Sequence, residues 1–359
     1  MTHPLLSRFF QTLLLCCALQ ACGGGDGLAP GAASASLAPS VTATPAAAVA
    51  QPVVTAAPAA RPLETAKTLL DASLRCPADL AGIDRSPVLL VHGTALNSQN
   101  TFGWNYIPAL TAIGIPFCTV DLPFNGMGDV QIAAEYVVHA VREMASRSGQ
   151  KVQIIGHSQG GMVPRWALRF WPDIRPLVDD LVGLSASNHG TIDARLICLP
   201  PCAPAIWQQR DDSAFLAALN RDFETLPGID YSSVYTQLDE VVFPNFGSNA
   251  SSRLAGDASH VRNIATQDVC LLNTADHLLI GTSDPVAYAL ALDAIVYPGP
   301  ADPARVAKSV CTQLFMPGVQ PLDFPFSLLN LTAGVATQLV GAPQVSKEPA
   351  LKCYATGGC

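Results

Sequence analysis

The chain has 359 residues, of which 13% are charged and 49% hydrophobic, with a formal net charge of −8. That length holds one large domain or two small ones. The acidic balance argues against a nucleic-acid partner, which would require a basic face.

The first segment, "MTHPLLSRFFQTLLLCCALQAC", has Arg8 and then an apolar run over 9–19. The run is shorter than the roughly 18 apolar residues of a membrane-spanning helix, so 1–21 reads as an export signal peptide. "LQAC" followed by "GGGDG" resembles a bacterial lipobox. On that reading cleavage leaves a lipidated Cys22, and the product is an outer-membrane lipoprotein anchored without a transmembrane helix. A conventional signal cut near Ala21, giving a secreted protein, is the alternative. Residues 22–62 are rich in Ala, Pro, Ser, Thr and Val, with prolines at 30, 39, 45, 52 and 58. With little charge and no period, they read as a flexible tether. The remainder, 63–359, is one catalytic-sized domain.

Within it, "PVLLVHG" (87–93) and "GIPFCTVDLP" (114–123) read as buried strands. The segment 131–149 carries a helical apolar stripe closed by Gly149. "KVQIIG" is a strand and "GGMVPRWALRF" a helix, followed by strands over 178–187, 234–237 and 261–269 and a helix over 284–296. Strands alternating with helices predict an α/β fold, a mostly parallel central sheet with helices on both faces. In such sheets ligands bind at the carboxyl ends of the strands, where Gly93, Asp121, Ser158 and Ser187 fall.

Gly156-His157-Ser158-Gln159-Gly160 lies where a strand becomes a helix. A serine there can simply cap the helix. Flanked by glycines, it also has the form of a nucleophile elbow, which presents the hydroxyl in a tight turn. A serine hydroxyl needs a histidine base oriented by a carboxylate, in the chain order Ser, acid, His. His189 follows too soon to leave room for the acid, and His260 precedes its strand. His277, in "NTADHLLIGT", is therefore the expected base. Asp239 directly follows a short strand and is the expected acid; Glu240 reads as a solvated neighbour and Asp276 as too close to its own histidine. Oxyanion donors are expected from Gln159 and from Thr94 in "VHGTALNS", with His92 structural.

Eleven cysteines fit export. Cys16 and Cys17 leave with the signal, and eight remain beyond Cys22. Zinc held by Cys198, Cys202 and His189 competes with a disulfide, but "CLPPC" has no second ligand pair.

"VHGT", "GHSQGGMVPRWALRFWPDIRPLVDDL", "APAIWQQ", "VYTQLDEVVFP" and "DVCLLNTADH" together resemble the family of Candida antarctica lipase B and its relatives. The resemblance implies an α/β-hydrolase fold, with Ser158, Asp239 and His277 as triad and Thr94 and Gln159 as oxyanion hole. It implies carboxylic-ester substrates, including triacylglycerols, with no metal or organic cofactor. It also implies the bridges Cys76–Cys118 and Cys270–Cys311, leaving Cys198–Cys202 as an extra bridge and Cys353–Cys359 as a shifted last one. Where that family has Thr-Trp before its serine, this chain has Gly156-His157, so His157 is expected in a pocket wall. Asn188 in "SASNHGT" replaces an acid and is a second pocket residue. The apolar stretches 192–207 and 322–340 are expected to line the acyl entrance or simply to pack in the core. The expectation is a serine ester hydrolase of the lipase class, acting on ester or lipid substrates. The rivals are a polyester depolymerase or acyltransferase on the same triad, and a non-catalytic surface lipoprotein.

Overall fold

The computed structural model describes residues 60–358. The expected signal peptide, the lipidated Cys22, nearly all of the tether, and Cys359 of the Cys353–Cys359 pair lie outside them. Among the described residues one sheet has the order β1-β3-β2-β4-β5-β6-β7. The strands are β1 Leu74–Arg75, β2 Val88–Val91, β3 Phe117–Val120, β4 Val152–His157, β5 Val178–Leu184, β6 Asp230–Tyr235 and β7 Val261–Ala265. All neighbours are parallel except β1 against β3.

The central strands read as unbroken apolar runs because helices cover both their faces. Every residue of β2, β3 and β4 is buried. On one face helices Val130–Ser148 and Gln159–Phe170 pack into a core with Val91, Val120 and Ile154. Trp166 at its centre stacks on Phe215 with ring centroids 4.2 Å apart, worth about 0.5–1.5 kcal/mol beyond area burial. On the other face helices Tyr106–Ala112 and Pro285–Val296 pack against Leu90, Ile155 and Val182. Helix Val130–Ser148 is capped by the Asp129 side chain on the Gln131 amide and stops at Gly149, whose φ of 67° no ordinary residue adopts cheaply.

Several expected boundaries shift. The 178–187 strand stops at Leu184 because Ser185 turns to φ 44°. The 261–269 strand breaks after Ala265 into the one-turn helix Thr266–Val269. Residues 234–237 overlap only the end of a longer β6. Strand β1 and the short helices Ile192–Ile197, Pro204–Gln208 and Ala214–Leu219 had no periodic signal.

Disulfides join Cys76 to Cys118, Cys270 to Cys311 and Cys198 to Cys202. The first two close loops with sequence separations of 42 and 41, each worth about 4 kcal/mol of unfolded-state entropy against about 2 for the short third loop. Cys198 and Cys202 form the extra bridge expected of them.

Candidate active site

Register brings the functional positions to one edge. Val91 pairs with Gly156, His157 with Leu184, and Leu184 with Val234, so the loops leaving β2, β4, β5 and β6 emerge side by side at the carboxyl ends. Ser158 leaves β4 at φ 57° and ψ −127°, a conformation that costs a non-glycine residue energy and swings the side chain out of the helix line. The flanking glycines make the turn possible. A Cβ on Gly156 would collide with the Gly160 carbonyl, and one on Gly160 with the Val91 carbonyl.

His277 reaches Ser158 across 119 residues of sequence. Its Nε2 lies 3.0 Å from Ser158 Oγ, and its Nδ1 is 2.9 and 3.0 Å from the two oxygens of Asp239. With Nδ1–H donating to the carboxylate, Nε2 is left to accept the serine hydroxyl. Asp239 also accepts from the amides of Val241 (3.0 Å) and Val242 (2.7 Å) and from Asn245 Nδ2 (3.0 Å). Burial pushes this carboxyl up, but His277 first, then the Val242 amide and Ser185, outweigh it and hold it below the usual carboxylate range. Burial pushes His277 down, and Asp239, Glu240 and Asp276 together raise it above the ordinary histidine value.

Glu240 is not the solvated neighbour that the sequence suggested. Its Oε2 accepts from the His277 backbone amide at 3.2 Å, and its Oε1 is buried without a partner among the described residues. Burial and the adjacent Asp276 push it up to about 7. Asp276 caps the one-turn helix His277–Ile280 through the Leu279 amide (2.8 Å).

Gln159 is the first residue of its helix, where a backbone N–H has no acceptor within the helix. Its side chain is tied back by Nε2 to the Gly126 carbonyl at 3.0 Å. Thr94 Oγ1 accepts from Gln209 Nε2 at 2.8 Å, and Gln209 Oε1 accepts from Ser187 Oγ at 2.9 Å. With that lone pair engaged, the Thr94 hydroxyl proton is available to another acceptor. Sequence reasoning missed Gln209 and Asn245, because neither carries a charge or a motif. His92 is fully buried, accepting from the Leu122 amide and contacting the Gly93 carbonyl, as a structural residue would.

The two expected pocket residues have buried side chains. His157 has no exposed surface, and its Nε2 sits 2.8 Å from the His277 backbone oxygen. Asn188 is 1% exposed, accepting from Arg165 Nη1 (3.2 Å) and donating to the Ser252 carbonyl (2.7 Å). His189 bonds Glu224 and His260 bonds Asp230, both away from Ser158. The two apolar stretches do approach the loop that carries Thr94. Ala203 and Ile206 from one, and Val335 and Leu339 from the other, pack with Ala95 and Met127.

A family model described as Lipase (class 2) matches residues 133–278, the span from the long helix to the histidine. Lipase B of Pseudozyma antarctica is 31% identical over 296 residues, covering 80% of this chain and 84% of that protein. The crystal structure of Aspergillus fumigatus lipase B superposes with a TM-score of 0.77 at 30% identity, covering 83% of this chain and 74% of that one. A likeness of that length, carried on the same α/β-hydrolase sheet, makes this chain a member of the lipase B family and a lipase-type carboxylic ester hydrolase.

Proposed function

We propose that the chain hydrolyses fatty-acyl esters through a covalent intermediate on Ser158. The Ser158 oxygen attacks the ester carbonyl while His277 Nε2 takes its proton. The Asp239 carboxylate keeps Nδ1 protonated and stabilises the imidazolium that forms. The Gln159 amide, with the amide and hydroxyl of Thr94, receives the negative oxygen of the tetrahedral intermediate. His277 then returns the proton to the leaving alcohol, and a water molecule activated by the same imidazole releases the acid.

The observation that carries this reading is the unbroken relay of contacts, 3.0 Å from Ser158 to His277 and 2.9 Å from His277 to Asp239. A fatty-acyl substrate is supported by the likeness to lipase B, and the apolar side chains of Met127, Ile206, Val335 and Leu339 pack beside the oxyanion loop. Turnover of glycerol and nitrophenyl esters of increasing acyl length tests the substrate class. Rates that rise into the long-chain range support it; turnover confined to short soluble esters contradicts it.

A further inference from the structure

The residue before the nucleophile touches the base through a bond that the hydrolytic steps do not use. His157 ends β4 with a fully buried imidazole. The His277 carbonyl at 2.8 Å can only accept, so His157 is the Nε2–H tautomer and donates to it. The two rings are tilted against each other, centroids 5.0 Å apart and planes inclined at 40°. The His277 carbonyl needs this donor. In a continuing helix the amide of Gly281, four residues on, would supply it, but that amide donates to Leu279 instead. Gly281 also makes the room, since a Cβ there would collide with the His157 ring. The His277 backbone is thus held from both sides, its amide on Glu240 and its carbonyl on His157.

We infer that His157 is a positioning residue whose bond to the His277 carbonyl ties the base to the nucleophile elbow and fixes the Ser158–His277 distance. This rests on the ester-hydrolase reading of Ser158 and His277. One peptide bond separates His157 from Ser158, so a shift of the elbow carries the histidine loop with it. The contact between hydroxyl and imidazole then depends on a local tie rather than on the path through β5, β6 and the long loop to residue 277. The ring serves as a neutral strut. Burial, reinforced by His277 and His92 and opposed by Asp239, pushes it down to about 3. It therefore does not compete with His277 for the serine proton.

The test compares wild type with His157→Leu, which removes the donor, and His157→Gln, which keeps an amide N–H at similar reach. Active sites are counted by phosphonate titration, and kcat and KM are measured on a soluble ester. A displaced base costs roughly 10–100-fold in kcat per titrated site. The tie predicts that loss in the Leu variant with KM within about twofold, and recovery of most of it by Gln. Unchanged kcat per titrated site in both variants would overturn the tie, even if fewer sites titrate, because that is the signature of a folding role alone. A wild type that takes no phosphonate would overturn the Ser158 reading instead, and labelled wild type with unaffected variants would overturn the tie alone.

Discussion

Asp239 and Asp180 are equally buried, each 5% exposed, and they stand at opposite ends of neighbouring strands. Asp239 follows β6 at the carboxyl edge, where two backbone amides, the Asn245 amide and His277 converge on it. Asp180 lies near the start of β5, where one long bond from Gln153 (3.3 Å) serves one oxygen and the other has no partner among the described residues. The outcome is opposite. Asp239 is held below the usual carboxylate range, while burial, with Asp179 and Asp230 nearby, pushes Asp180 up to about 8. Burial alone therefore does not decide charge; the donors that the loops deliver do. At these two positions the loop after β6 supplies the donors that hold a charge, and the start of β5 does not.

The largest expected effect breaks the ionised side of that comparison. Asp239→Asn keeps the shape but lets the imidazole adopt the wrong tautomer, and is expected to lower kcat about 10⁴-fold. Steady-state kinetics on one soluble ester checks it, and a loss under tenfold would remove Asp239 from the relay. Next comes the neutral side. The Asp180 carboxyl is raised from an unfolded value near 4, so between about 4 and about 8 the folded state binds more protons than the unfolded one. Stability attributable to this group then falls as pH rises through that window. Asp180→Asn is expected to stabilise the protein by roughly 1–3 kcal/mol above pH 8, with little gain near pH 4. Denaturant melts at the two pH values measure it; an equal effect at both would mean that Asp180 is ionised throughout.

The smallest effect concerns Glu240, which shares features of both carboxylates. When ionised it favours the His277 imidazolium, and the proposed mechanism requires the neutral ring. Glu240→Gln keeps an oxygen for the His277 amide and removes the charge. The acid limb of kcat/KM should therefore move to lower pH. A shift to higher pH, or none in a closely sampled profile, would show that Glu240 does not act on the base.

Much of the fold was legible because long periodic segments write their own geometry. The strands at 87–93 and 114–123 and the helix over 131–149 fall within a few residues of where the structure has them. The serine, histidine and acid that the structure brings together were readable from the elbow glycines and from chain order. What stayed hidden depends on contacts distant in sequence. Glu240 sits beside the acid in sequence and reads as surface, yet folds under His277 because the loop after β6 turns back on it. The ring of His157 fills the space left open at Gly281, 124 positions on, and bonds the His277 carbonyl, which spacing in the sequence does not announce. Gln209 holds Thr94 from just past the end of a short helix with no period to announce it.

The most direct test of the central claim is the site of covalent capture by a serine-directed phosphonate, mapped by peptide mass spectrometry on wild type and on Ser158→Ala. The predicted result is a single stoichiometric adduct on the peptide carrying Ser158, lost in the alanine variant together with ester turnover. An adduct on another residue, or full turnover by the alanine variant, would contradict it.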